Sequence, residues 1–128
     1  MRLLLDTHAL LWWLLDDPRL SRTARRAIED MGKVVLVSAA CAWEVAIKAA
    51  KGKLPIPPQA ERRIQTEMEA AGFVELAVTW RHAFAVRELP YHHLDPFDRL
   101  LIVQSRLEGL TIVTNDRTLA LYRADCLW

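Results

Sequence analysis

Short apolar runs typical of β-strands alternate with longer segments of helical periodicity, and this alternation constrains the fold of the chain more than any other feature. Predicted strands cover residues 3–5, 33–38, 73–78, 110–114 and 124–127. Predicted helices cover residues 8–15, 22–30, 39–51, 59–71, 80–89, 96–108 and 116–123, and an extended connector covers residues 54–58. This order favours an α/β fold, in which a central, mainly parallel sheet is flanked by helices.

The size and charge of the chain indicate its class but not its activity. Its 128 residues, 52% of them hydrophobic, fit a single domain over residues 1–128 with a real core. A formal net charge of +1 does not by itself indicate a nucleic-acid-binding protein. Local basic clusters are interpreted as solvated helix faces. These clusters contain Arg22, Arg25 and Arg26, then Lys48, Lys51 and Lys53, then Arg62 and Arg63.

The cysteines and the apolar N-terminal stretch indicate the cellular compartment of the protein. Cys41 and Cys126 lie in apolar surroundings without CxxC spacing, which favours reduced, buried thiols over a disulfide or a zinc site. Asp6 and His8 interrupt the first apolar stretch, so it does not resemble a signal peptide. Since no apolar run approaches the length of a membrane helix, we expect a cytoplasmic protein that does not span a membrane.

Acidic residues lie where the carboxyl ends of the predicted strands should meet. Asp6 directly follows the first strand, and Asp116 follows the strand at 110–114 after one intervening residue. Glu44 lies in the helix that leaves the second strand, and Asp95 and Asp98 lie at the start of the helix at 96–108. Because α/β folds bind ligands at the carboxyl ends of parallel strands, these acids are candidate functional residues.

Each of these acids except Asp6 also has an ordinary structural interpretation. Asp95 before Pro96 fits an N-cap followed by a proline at the first helical position. The carboxylate of Asp98 would then interact favourably with the helix dipole, and Asp116 would cap the last helix. The carboxylate of Asp6 is harder to explain, because it adjoins core residues and an unpaired charge is costly there.

Glu44 and Lys48 have the spacing of a favourable surface pair on a helix. Several carboxylates gathered at one edge repel one another, by roughly 4 kcal/mol for two unit charges about 4 Å apart at an effective dielectric near 20. Such a group becomes stable when some carboxylates are protonated or when a cation lies among them. Oxygen ligands favour Mg²⁺ or Mn²⁺, and these ions support phosphodiester hydrolysis.

Four segments of the chain carry motifs that occur together in one family. They are Leu3-Leu-Leu-Asp-Thr-His-Ala-Leu-Leu-Trp12, Ser38-Ala-Ala-Cys-Ala-Trp-Glu-Val-Ala-Ile-Lys48, His93-Leu-Asp-Pro-Phe-Asp-Arg-Leu-Leu101 and Thr111-Ile-Val-Thr-Asn-Asp116. In this order and spacing they resemble PIN-domain ribonucleases, and in particular the VapC-type toxins of type II toxin–antitoxin systems. The resemblance covers essentially the whole chain and implies a PIN-like three-layer fold.

The resemblance also implies roles for individual residues. Four acids match the catalytic, metal-binding positions of the family: Asp6, Glu44, Asp98 and Asp116. Thr7 and Thr114 match small hydroxyl positions beside these acids, where hydrogen bonds would orient a carboxylate. Arg99 would contact an RNA phosphate, with a surface helix charge as the alternative. The tryptophans on apolar helix faces are interpreted as core residues rather than base-stacking platforms: Trp12, Trp13 and Trp43.

In function, the resemblance implies an endoribonuclease that uses Mg²⁺ or Mn²⁺ to hydrolyse phosphodiester bonds of structured or single-stranded RNA. It further implies a homodimer and a cognate VapB-like antitoxin whose tail blocks the acidic groove.

Two other classes of function compete with this one. A catalytically silent PIN-like module that binds RNA or protein is disfavoured, because the acid set is intact. A phosphatase or phosphorelay domain would use Asp6 as nucleophile or phosphoacceptor. The phosphatase pattern requires a second aspartate two residues later, where this chain has His8, and a receiver domain carries its phosphorylated aspartate after a central strand.

Overall fold

The fold is described from a computed structural model, which describes residues 1–54, 56–57 and 59–128. Within these ranges the strands are β1 (Arg2–Leu5), β2 (Val34–Ser38), β3 (Val74–Leu76), β4 (Thr111–Val113) and β5 (Cys126–Leu127). The α-helices are α1 (Thr7–Leu14), α2 (Arg22–Glu29), α3 (Ala39–Ala50), α4 (Ala60–Ala70), α5 (Trp80–Ala85) and α6 (Pro96–Glu108). Two 3₁₀ helices cover Val86–Glu88 and Arg117–Tyr122.

The strands form one sheet in the order β3-β2-β1-β4-β5, and all four neighbouring pairs are parallel. The prediction of an α/β, three-layer fold with a mainly parallel sheet is confirmed. Leu3, Leu4 and Leu5 of the central strand are completely buried although successive side chains point to opposite faces. Both faces of the sheet are therefore covered, as parallel sheets require.

Helix ends follow the local signals in the sequence. Ser21 caps α2, Ser38 caps α3 and Asp95 caps α6, each through a side-chain oxygen that accepts a backbone N–H. Gly109 ends α6 in the left-handed conformation, with φ of 66°, which a residue without a Cβ adopts at little cost. The first turn of α6 contains Asp98.

Several local predictions were wrong. The segment at 116–123 forms a 3₁₀ helix rather than an α-helix, and the helix predicted at 80–89 changes to a 3₁₀ helix after Ala85. Cys126 is exposed, because it lies in the short edge strand β5, whereas Cys41 is buried as expected. The connector predicted at 54–58 lies partly outside the described residues.

The tryptophans differ in burial. Trp12 is buried and Trp13 is half-buried, so both contribute to the core as predicted. The side chain of Trp43 is 61% exposed, which contradicts its interpretation as a core residue. Over the described part of the chain, no helix combines the length and the apolar character needed to cross a membrane.

Candidate functional site

The parallel sheet brings the predicted acids to one edge. Asp6 follows β1, and its backbone N–H donates to the carbonyl of Val113 at the end of β4, at 3.2 Å. Asp116 follows β4 by three residues, Glu44 projects from α3, and Asp98 lies in the first turn of α6. The charges of Asp6, Glu44 and Asp116 all act on Asp98, so the structure brings these four side chains together.

Asp6 is held by local hydrogen bonds in a buried position. Its Oδ1 accepts from the backbone N–H of Ala9 at 2.7 Å, which caps α1. Burial raises the pKa of Asp6, whereas hydrogen bonds from the Thr114 hydroxyl and the Ala9 amide lower it, and burial outweighs them. Thr114 also accepts from the backbone N–H of Asp116 at 3.1 Å. One hydroxyl therefore contacts two of the four acids.

Both oxygens of Glu44 have partners. Oε1 accepts from the Thr7 hydroxyl and Oε2 accepts from Nζ of Lys48, each at 2.5 Å. The predicted Glu44–Lys48 pair is present, but Glu44 is buried rather than on the surface. The pair therefore lies at the acidic edge and not on the outer surface of the helix.

Burial and neighbouring carboxylates both raise the pKa of Asp98. Burial is the main cause that raises its pKa to about 7, from an ordinary value of 3.8. Repulsion by surrounding carboxylates adds to this effect, and these belong to Asp95, Asp6, Glu44 and Asp116. A cation among these carboxylates would relieve the repulsion and favour the charged form of Asp98.

A histidine that sequence reasoning did not select also lies at this edge. In the described part of the chain, His93, Asp98 and Asp116 form a group whose potential ligand atoms lie within 4.8 Å of one another. Asp6 and Glu44 are not members of this group of mutually close ligand atoms. The signal for His93 was its place in the same segment as Asp98, five residues earlier.

The prediction that Arg99 contacts RNA was wrong. Only 4% of Arg99 is exposed, and its guanidinium donates to the carbonyls of Val86, Leu89 and Pro90 and to the Tyr122 hydroxyl. It also lies 4.1 Å from the centre of the Tyr91 ring. These contacts use four of the five guanidinium N–H groups to hold the loop before α6.

An aromatic pair, of which Trp43 is exposed and Phe97 is half-buried, lies next to two of the acids in sequence. Trp43 precedes Glu44 and Phe97 precedes Asp98, and the two rings meet edge to face with their centres 5.3 Å apart. The exposed ring of Trp43 thus borders helices α3 and α6 where both carry acids.

Comparison with known proteins assigns the family. The sequence profile of the PIN domain matches residues 3–125, which is nearly the whole chain. The chain belongs to the PIN domain family. This PIN domain is 36% identical over 69 residues to ribonuclease VapC16 from Mycobacterium tuberculosis. The match covers 51% of the PIN domain described here and 49% of that relative, so the chain spans about half the length of the curated relative that it matches.

Solved structures with low sequence identity share its fold. One is VapBC2 from Rickettsia felis bound to a DNA fragment from the promoter, with a TM-score of 0.72 at 14% identity, covering 99% of this PIN domain and 98% of that chain. Another is PAE2754 from Pyrobaculum aerophilum, with a TM-score of 0.62 at 18% identity, covering 98% and 83% of the two chains. FitAcB from Neisseria gonorrhoeae has a TM-score of 0.61 at 16% identity, covering 98% and 96%.

Proposed function

We propose that this PIN domain is a metal-dependent endoribonuclease and the toxin of a VapBC-like toxin–antitoxin pair. The observation that carries the proposal is the meeting of Asp6, Glu44, Asp98 and Asp116 at the carboxyl edge of the sheet, where crowding and burial raise the pKa of Asp98. The similarity to a protein named ribonuclease VapC16 supports RNA as the substrate.

The donor set at this edge fits a hard divalent cation. Carboxylate oxygens are the ligands that Mg²⁺ and Mn²⁺ prefer, and the four acids would hold the ion together. When bound, such an ion supplies an activated water and neutralises charge on a phosphodiester undergoing hydrolysis. The residues of the chain would orient the acids. Thr7 holds Glu44 by a hydrogen bond, and Thr114 holds Asp6 in the same way.

RNA cleavage tests the enzymatic part. We expect the wild-type protein to cut single-stranded or structured RNA with Mg²⁺ or Mn²⁺, and to lose this activity in excess EDTA and in Asp6→Asn. Asp30→Asn is the matched control, because Asp30 is exposed and precedes β2 at the amino end of the sheet. Wild-type cleavage in EDTA would contradict the metal mechanism, and RNA binding without cleavage would favour a catalytically silent binding module.

Growth tests the toxin part. Expressed alone in bacteria, the wild-type protein should arrest growth, whereas Asp6→Asn should be tolerated. Co-expression with a small DNA-binding protein encoded immediately upstream should restore growth and yield a complex that copurifies. The acidic edge suits a cationic tail, because an arginine binds carboxylates through two parallel hydrogen bonds. Harmless expression of soluble, metal-loaded wild type would exclude the toxin and leave a housekeeping nuclease.

We also propose a cytoplasmic homodimer, on the basis of the family resemblance. Sedimentation of the purified protein at micromolar concentration tests this, and a monomer at that concentration would contradict it.

A further inference from the structure

The buried hydroxyl of Tyr122 gathers several hydrogen-bond donors. Only 1% of Tyr122 is exposed, and its phenolic oxygen accepts from the backbone N–H groups of His92 and His93 at 3.1 and 3.0 Å. It also accepts from Nη1 of Arg99 at 3.2 Å. A phenolic oxygen has two lone pairs, so these three donors already share its whole capacity to accept, and a fourth donor is not accommodated. The hydroxyl hydrogen must therefore be donated elsewhere.

The position of His93 decides where that hydrogen goes. The nearer acceptor is Nδ1 of the His93 ring at 3.1 Å, and the other is the carbonyl of His93 at 3.3 Å. When Nδ1 accepts a hydrogen bond, a neutral imidazole carries its own hydrogen on Nε2. The contacts of Tyr122 thus assign the tautomer of His93 with a hydrogen on Nε2.

The other side of the His93 ring faces the acidic edge. Nε2 is buried and has no hydrogen-bond partner among the residues that the structure describes. The carboxylate of Asp98 lies opposite, with Oδ2 at 3.7 Å from Nε2. A buried N–H that lacks an acceptor is costly, and a shift of less than 1 Å would turn this contact into a hydrogen bond.

We infer that His93 is a positioning residue for Asp98, at the end of a chain of donors that runs from Arg99 through Tyr122 to this carboxylate. The inference rests on the proposed function in that Asp98 is taken as a metal-binding acid. The buried guanidinium of Arg99 supplies the charge that polarises the chain, since hydrogen bonds in series strengthen one another.

Direct metal ligation by His93 fits the contacts less well. A ligating Nε2 must carry no hydrogen, whereas the tautomer inferred from the 3.1 Å contact between Tyr122 and Nδ1 has one there. The same atom is shielded from solvent, so a phosphate oxygen cannot reach it either. An N–H directed at Asp98 explains both the burial and the tautomer, and hydrogen bonds of this kind orient the carboxylates that bind metals.

Metal affinity of the full chain tests the inference. We would titrate wild type, His93→Asn, His93→Gln and His92→Asn with Mn²⁺ and with Mg²⁺ by calorimetry, and record unfolding without metal to confirm the fold. Residues that orient metal ligands typically change affinity by about 10- to 100-fold. We expect His93→Asn to weaken the binding of both ions by such a factor. Glutamine places an amide N–H near the position of Nε2, so His93→Gln should recover much of the affinity.

The control is the neighbouring histidine. His92 is exposed and packs edge-on against the Tyr122 ring without a side-chain contact to the acids, so His92→Asn should bind both ions like wild type. Unchanged affinity in His93→Asn would overturn the inference. Loss of Mn²⁺ binding alone in both His93 variants would also overturn it, because it would identify the imidazole as a ligand.

A second measurement does not depend on metal or on activity. Nitrogen NMR of the imidazole rings in the metal-free protein should show His93 with its hydrogen on Nε2, and Tyr122→Phe should mix the two tautomers. A hydrogen on Nδ1 in wild type would overturn the inference. If wild type has the Nε2–H tautomer but binds neither ion, the proposed metal-dependent function fails while the hydrogen-bond chain is supported.

Discussion

The hydroxyl of Thr7 donates to Oε1 of Glu44 at 2.5 Å, and both side chains are 5% exposed. This bond joins the first residue of α1 to the middle of α3, two helices that begin directly after neighbouring strands. A buried carboxylate is tolerated only when its oxygens have partners. Thr7 satisfies one oxygen of Glu44 and Lys48 satisfies the other, so the acidic edge is held together before any ion binds.

Substitution of Thr7 tests this hydrogen bond. Thr7→Val keeps the shape of the side chain but leaves Oε1 of Glu44 without its buried donor. We expect the free energy of unfolding of the metal-free protein to fall by about 1–3 kcal/mol, as measured by urea unfolding in EDTA. Thr7→Ser retains the hydroxyl, so its free energy of unfolding should fall much less. Equal stability of wild type and Thr7→Val would mean that the hydroxyl does not support Glu44.

The ammonium of Lys48 contacts Oε2 of Glu44, and under the proposed function it would compete with a metal ion for this oxygen. Lys48→Met should therefore increase the rise in melting temperature on addition of Mn²⁺, while the metal-free protein becomes less stable because Glu44 loses a partner. Lys51→Met is the matched control, since Lys51 is exposed one turn further along the chain. A smaller metal response in Lys48→Met than in wild type would contradict competition between the lysine and the ion.

The architecture and the acidic edge could be predicted from the sequence for a physical reason. A strand such as β1 that is buried on both faces is apolar throughout, so its end at Asp6 is sharp. Once β1 and β4 are parallel neighbours, Asp6 and Asp116 must lie at the same edge. The caps at Ser38 and Asp95 depend only on residues within one turn, so local pattern sufficed for them as well.

The remaining features depend on contacts between distant segments. Arg99 was predicted to contact an RNA phosphate, with a surface helix charge as the alternative. Its burial could not be predicted, because its acceptors are mainly backbone carbonyls, which have no signature in the sequence. The role inferred for His93 depends on Tyr122, which lies 29 residues further along the chain. Trp43 lies on an apolar stretch that predicts a core position, yet it is 61% exposed and its ring contacts Phe97 of α6.

Stability of the metal-free protein should depend on the ionisation of Asp98. Its pKa is about 7 in the folded state and near the ordinary 3.8 in the unfolded chain, so the folded protein retains a proton that the unfolded chain releases. Asp98 therefore makes the free energy of unfolding larger at low pH than at high pH. This free energy falls as pH rises from about 4 to about 7. Asp6, whose pKa is also raised, acts in the same direction.

Urea unfolding in EDTA across this pH range measures the effect, and Asp98→Asn should show a weaker dependence on pH. The affinity for metal should instead rise with pH, because the ion needs the charged carboxylate. Below pH 7 we expect the affinity for Mn²⁺ to fall by about tenfold per pH unit for one displaced proton. Metal affinity that is constant from about pH 5 to pH 8 would contradict a role for Asp98 in binding the ion.

The exposed ring of Trp43 offers a stacking surface beside the acids. If RNA binds at this edge, Trp43→Ala should weaken its binding by about 5- to 150-fold, which corresponds to 1–3 kcal/mol for one stacked base. Fluorescence anisotropy with a labelled RNA in the inactive Asp6→Asn background would measure this. Trp80→Ala is the control, because Trp80 is 80% exposed on α5, which carries none of the four acids. Equal losses in both variants would exclude a specific role for Trp43.

The two aspartates at the start of α6 should differ in their tolerance to substitution. Oδ1 of Asp95 accepts from the backbone N–H groups of Phe97 and Asp98 at 2.9 and 3.1 Å, and asparagine makes the same capping bonds. Asp95→Asn should therefore keep most of the stability and the RNA cleavage.

Asp98→Asn removes a charged oxygen from the middle of the acid group and should abolish both cleavage and the metal-induced rise in melting temperature. Because it also relieves the repulsion among the acids, the metal-free protein should be at least as stable as wild type above pH 7. Parallel assays of cleavage and thermal unfolding distinguish the two roles. An inactive Asp95→Asn beside an active Asp98→Asn would reverse the assignment and make Asp95 the metal-binding acid.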